Sequence, residues 1–242
     1  MNVTFLGHSG FYAVLPEAAL LFDFYTGELP EPVPGKPLFV FVSHAHADHF
    51  SPEIFRLAES GAPVTYVLSD DIPEGRVPSD LLRQTVFMGP DETLSVPLPK
   101  GAELLVRTFR STDEGVAFLL DLGEKRLYHA GDLNDWHWDD VDIPWNEAQR
   151  TGYHDALQKI ARVVREDGHV PDCAFVPVDA RLGPFYYMGL KEYMEEVGAD
   201  RIFPMHLFGD PAVIGKMKAH PAAKAYGDRI LGTGTPGETF DL

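Results

Sequence analysis

The sequence predicts an α/β protein in which two mixed sheets pack together with helices outside. Short apolar or alternating runs bounded by Gly, Pro and Asp recur through the first half, which is strand patterning. Later the order becomes strand, helix, strand, helix. No linker-like stretch interrupts the 242 residues, so residues 1–242 are expected to form a single domain of two similar halves.

The elements follow in order. Strands are expected at Asn2–Gly7, Phe11–Leu15, Ala19–Asp23 and the apolar run Leu38–Val42, with Leu29–Pro37, which holds four prolines, as a loop. A helix is expected from Pro52 to about Ser60, with Ser51 as its N-cap and Pro52 in its first turn. Further strands are read at Val64–Leu68, Thr85–Met88, Thr93–Val96, Glu103–Phe109, Gly115–Asp121 and Lys125–His129. Tyr153, Leu157, Ile160, Ala161 and Val164 then make one apolar helical stripe. A buried strand at Cys173–Val178, a helix near Leu190–Val197, a strand at Arg201–Met205, a helix near Ala212–Ala219 and a strand-like tail complete the chain.

Composition narrows the function. Hydrophobic residues make up 45% and charged residues 24%, enough for a large core and far from a disordered chain. With 37 acidic and 20 basic residues the formal charge is -17, which repels long polyanions, so no nucleic-acid partner is expected. A small anionic molecule is not excluded, because a local cationic pocket can exist in an acidic protein. Cys173 is the single cysteine, which rules out an intramolecular disulfide, and its apolar run CAFVPV reads as core. No run approaches the roughly 20 apolar residues of a membrane span, and the N-terminus lacks signal-peptide patterning. A cytoplasmic protein without a membrane partner is the expectation, with its oligomeric state open.

The chemistry concentrates in Ser43-His44-Ala45-His46-Ala47-Asp48-His49, directly after an apolar strand. Imidazole nitrogens and carboxylate oxygens are the donors that zinc and similar divalent ions take. In a turn beyond a strand end, His44 and His46 can point one way while Asp48 and His49 point another, so the segment could feed two adjacent metals.

This H-x-H-x-D-H segment resembles the defining motif of the metallo-β-lactamase superfamily, and later elements follow in that family's order. Tyr128-His129-Ala130-Gly131-Asp132 resembles the motif whose aspartate bridges two metals, and Pro204-Met205-His206 the closing histidine motif. The resemblance implies a four-layer αβ/βα sandwich and a metal-dependent hydrolase acting on a small ester, lactone or phosphoester by attack of a metal-bound hydroxide. It implies one to two divalent ions, zinc or manganese with iron as an alternative, on His44, His46, Asp48, His49, Asp132 and His206. Asp48 and Asp132 carry the catalytic roles, and Asp23 supports the histidine turn. Within the superfamily the chain looks most like the ascorbate-6-phosphate-lactonase-like branch, through Leu6-Gly7-His8-Ser9-Gly10, Ser111-Thr112-Asp113-Glu114-Gly115 and Pro204-Met205-His206-Leu207-Phe208.

One departure matters. The family places a third histidine of the first site between the opening motif and the bridging aspartate, yet Phe50 to Tyr128 contains none. Either Asp113 or water fills that position, or the first site is weak. A non-catalytic metal- or ligand-binding protein with a degenerate first site therefore stands as the alternative, with a di-iron redox enzyme as a second. His8, Arg181 and Tyr186 are candidates for substrate contact, and Trp136, His137 and Trp138 for a pocket wall. An arginine beside tyrosines suits an anionic substrate group.

Overall fold

Alternation along the strands sorts the apolar side chains into two cores. In the computed structural model, which describes residues 1–242, Phe39 and Phe41 face one core while Leu38, Val40 and Val42 of the same strand face the other. The strands are β1 (Asn2–Gly7), β2 (Gly10–Val14), β3 (Ala19–Phe22), β4 (Leu38–Val42), β5 (Val64–Ser69), β6 (Thr85–Met88), β7 (Thr93–Pro97), β8 (Glu103–Arg110), β9 (Val116–Leu122), β10 (Lys125–His129), β11 (Cys173–Pro177), β12 (Arg201–Met205) and β13 (Thr239–Asp241).

Seven of them form a first sheet in the order β13-β1-β2-β3-β4-β5-β6, and six form a second in the order β12-β11-β10-β9-β8-β7. Each sheet is mixed. In the first, β3, β4, β5 and β6 run parallel; in the second, β10, β11 and β12 do. Parallel strands buried on both faces need continuous apolar sequence, which β4 (LFVFV) and β11 (CAFVP) supply with every residue buried.

The larger core lies between the sheets and continues to three helices: α1 (Ile143–Asp167), α2 (Met188–Glu196) and α3 (Ala212–Ala219). Tyr153, Leu157, Ile160, Ala161 and Val164 are the buried stripe of α1, as the periodicity predicts. The helix starts ten residues before Tyr153, at Ile143, because Asp142 caps it by accepting from the Trp145 amide at 2.9 Å. The smaller core covers the outer face of the first sheet. There Pro52–Ser60 is helical and capped by Ser51, but it winds as a 3-10 helix. Its nine residues run between that cap and a left-handed Gly61, a span that never settles into α-helical spacing. With that layer the arrangement is the four-layer sandwich. No helix is long and apolar enough to cross a membrane.

Candidate metal centre

The carboxyl ends of β3, β4, β10, β11 and β12 converge at one rim, the place where open α/β sheets gather ligand groups. Each delivers a side chain just past its last residue: Asp23 after β3, the Ser43–His49 turn after β4, Asp132 after β10, Asp179 after β11 and His206 after β12. The β1–β2 turn adds His8 and the β8–β9 turn adds Asp113.

Two groups of donor atoms result, each with its atoms within 4.8 Å of one another: His44, His46, Asp113 and Asp132, and His8, Asp48, His49 and His206. Asp132 joins them. One of its oxygens lies 3.2 Å from His49 Nε2, and the other lies 3.6 Å from His44 Nε2 and 3.4 Å from His206 Nε2. His46 stands 3.6 Å from the Asp113 carboxylate. His8 Nε2 is 3.3 Å from Asp48.

The imidazoles are held from behind. Asp23 contacts His49 Nδ1 at 2.7 Å and accepts from the Ser43 amide at 2.8 Å and hydroxyl at 2.6 Å. That hydroxyl is 3.0 Å from His44 Nδ1. Asp179 is 3.1 Å from His206 Nδ1 and also takes the Arg181 guanidinium. With the Nδ1 atoms of His44, His49 and His206 engaged, their Nε2 atoms face the centre, the arrangement that orients ligating histidines. Buried His8 Nε2, His44 Nε2, His49 Nε2 and Asp132 Oδ1 have no hydrogen-bond partner. Buried polar atoms are rarely left so, and this donor set fits divalent cations.

The backbone is shaped for this convergence. His8 (φ 52°), Asp23 (φ 40°), His206 (φ 61°) and Phe208 (φ 43°) occupy left-handed geometry that non-glycine residues seldom adopt. Gly115 (φ 64°) and Gly131 (φ 53°) let two turns close on Ser43: an added Cβ would stand 2.0 Å from its carbonyl oxygen and 2.6 Å from its Cβ, respectively.

Electrostatics follow from crowding. Burial, reinforced by His49, pushes His44 down to about 4 and keeps it neutral, the form that ligates. Burial opposes charge on His49 too, but Asp132 and Asp23 outweigh it and raise the group to about 10. The same balance holds Asp132 well below the usual carboxylate range despite its burial, through His49 and His206. The neighbouring His8 imidazole lowers Asp48. Burial first, then Asp132, raises Asp113. Three carboxylates pressed together in this way call for positive charge between them.

The centre opens into a cavity of about 260 Å³ lined by His46, Asp48, Asp113, Asp132 and His206. Trp136, Trp138, Trp145, Gln149, Phe208 and Arg181 complete the lining. The indole of Trp136 donates to the Asp132 carbonyl at 2.9 Å. Tyr186 is not in this lining; its ring lies against Tyr187 and His220 instead. His137 also stands apart, its ring tilted against Phe185. His129 is buried beside Phe22, with Nε2 2.9 Å from the Ser9 carbonyl, away from the donor groups. Asp113 does two things: its amide donates to Ser111 Oγ in a tight turn, and its carboxylate faces His46. Sequence reasoning made His8 a candidate for substrate contact, whereas its nitrogen lies within a donor group. It missed Asp179, whose only signal was an aspartate directly after a buried strand, the position Asp23 also occupies.

No protein-family model matches the chain. Its fold matches solved structures along the whole length. Igni18, a metallo hydrolase from Ignicoccus hospitalis, is 19% identical with a TM-score of 0.63, over 100% of this chain and 98% of that one. The metallo-β-lactamase fold protein YhfI from Bacillus subtilis is 14% identical with a TM-score of 0.60, over 99% of each. The fold is thus the metallo-β-lactamase fold. In sequence the chain is similar to a UPF0173 metal-dependent hydrolase of Desulforamulus reducens, 28% identical over 85% of this chain and 84% of the relative. In fold and in sequence, then, the chain is similar to metal-dependent hydrolases built on this architecture.

Proposed function

We propose that the protein, acting as one domain, hydrolyses a small ester, lactone or phosphoester with the aid of one to two divalent ions. The observation that carries this reading is Asp132, a single buried carboxylate that faces both donor groups at once. Ions held there would lower the pKa of a water from about 16 to about 7 and polarise the scissile group.

In this reading His44, His46, Asp113 and Asp132 hold one ion. Asp48, His49, Asp132 and His206 hold the other, with His8 beside them. Asp113 in place of a histidine makes the first group richer in oxygen, which favours manganese or iron over zinc. Asp48, on the cavity side and fixed by His8, accepts a hydrogen bond from the attacking water and orients it. Arg181, the one cation in the cavity lining, is clamped by Asp179 and receives an anionic group of the substrate. The lactone option is supported by the likeness of the His8, Asp113 and His206 segments to the lactonase-like branch. The small cavity and the charge of -17 support a small-molecule substrate over nucleic acid, and a cytoplasmic setting without a membrane partner completes the proposal.

The test is elemental analysis of the purified protein together with turnover on esters, lactones and phosphodiesters, before and after chelation and on adding back zinc, manganese or iron. Metal-dependent turnover on one class is expected. A metal-loaded protein inactive on all three would leave a non-catalytic binding protein.

A further inference from the structure

Four large apolar side chains of the chain are exposed. They are Val141 (38% exposed), Ile143 (72%), Trp145 (39%) and Phe208 (45%). Trp145 and Phe208 line the cavity of the donor groups, and Val141 and Ile143 lie on the segment that leads into Trp145. Scattered single apolar residues on a surface are ordinary; a patch continuous with a pocket marks a place where something apolar rests. The patch is also held in shape. The Asp142 carboxylate caps α1 at the Trp145 amide, Trp138 stacks parallel to Trp136 with ring centres 6.4 Å apart, and the Arg181 guanidinium lies 3.3 Å over the Phe208 ring.

Resting on the hydrolase reading above, we propose that the substrate carries an extended apolar arm, acyl or aryl, which leaves the cavity past Trp145 and Phe208. The lining's two kinds of side chain divide the work: Asp48, Asp113 and Asp132 lie where the scissile group reacts, while Trp136, Trp138, Trp145 and Phe208 present ring faces and edges that favour hydrocarbon. A volume of about 260 Å³ holds only a small scissile unit, so an arm of several carbons must extend over the rim, where the exposed apolar residues stand. The arm, rather than a protein partner, is the occupant because Trp145 and Phe208 are themselves part of the lining of the donor-group cavity.

The chain's three tryptophans, Trp136, Trp138 and Trp145, all line this cavity, so intrinsic fluorescence reports on it alone. The experiment titrates the purified, metal-loaded protein with acetate, butyrate, hexanoate and octanoate and follows that fluorescence. Affinity should rise by roughly fourfold per methylene once the chain reaches the rim. Trp145→Ala and Phe208→Ala should flatten the rise with chain length; Trp136 and Trp138 still report in the first variant. A series without a chain-length trend, or a trend that survives both substitutions, overturns the proposal. So does a concentration-dependent dimer that Trp145→Ala dissolves, since a second copy would then cover the patch. Because binding is read without turnover, the two readings separate. A chain-length trend with no ester, lactone or phosphoester hydrolysed defeats the hydrolase reading, whereas hydrolysis with no preference for longer arms defeats this one.

Discussion

The carboxylate of Asp23 lies 2.7 Å from His49 Nδ1, across 26 residues of sequence, with both side chains fully out of solvent. Its oxygens also hold the Ser43 amide and hydroxyl, so one buried group sets the whole turn that delivers His44 to His49. Asp23→Ala should remove all three contacts and leave the Ser43 amide unpaired in the interior. A loss of stability on the order of 3 kcal/mol is expected by denaturant titration. Metal affinity should fall about 10- to 100-fold. A variant as stable and as tightly metallated as the parent would show that the turn holds itself.

Asp48→Asn keeps the shape of the side chain and removes its charge. The residue is partly exposed on the cavity side, so folding should be unaffected in thermal denaturation. Turnover should drop by roughly 100-fold or more, the usual contribution of a positioned acid–base group. Full activity in a well-folded variant would sink the role assigned to Asp48.

His206→Ala deletes a donor whose Nε2 faces Asp132 and whose Nδ1 is anchored on Asp179. Bound metal, measured by elemental analysis after dialysis, should fall clearly, with the ion on the His49 side lost first. Unchanged stoichiometry would take His206 out of the ligand set.

Asp113→Ala acts on the opposite group. It should weaken one ion selectively and reduce the advantage of manganese or iron over zinc in reactivation. Two-phase metal titration by calorimetry separates the ions: the phase lost in His206→Ala should persist here. If Asp113→Ala leaves both phases intact, the carboxylate serves only its turn with Ser111.

Burial pushes the Cys173 thiol up to about 12. At pH 8 its thiolate fraction is then on the order of 10⁻⁴, far too small for ready alkylation. The native protein should not react with a thiol reagent, while the denatured chain should react at one equivalent. Rapid native labelling would mean that β11 opens.

Much of this was written in the chain itself. Strand lengths at Asn2–Gly7, Leu38–Val42 and Lys125–His129 were legible because alternation and uninterrupted apolar runs are local patterns that burial on one or two faces imposes. The histidine turn was legible for the same reason: four donor residues within six positions need no partner to be seen. Ser51 as a cap and the stripe of α1 are likewise short-range facts.

What only the tertiary structure decided is the pairing of distant groups. His8 reads as a turn residue from its neighbours, and Asp179 as a strand terminus. Each gains its place because β1, β11 and β12 end at one rim, a consequence of sheet order that no local pattern carries. Tyr186 shows the converse, since its nearness to Arg181 in sequence suggested a shared task, yet the chain turns between them and sends its ring to His220. Asp113 joins both lessons: the missing histidine could be counted in the sequence, but only the closure of the β8–β9 turn over Ser43 brings a carboxylate to His46. Local periodicity records what each segment buries, whereas a site is a meeting of side chains whose separation along the chain is unrelated to their distance in space.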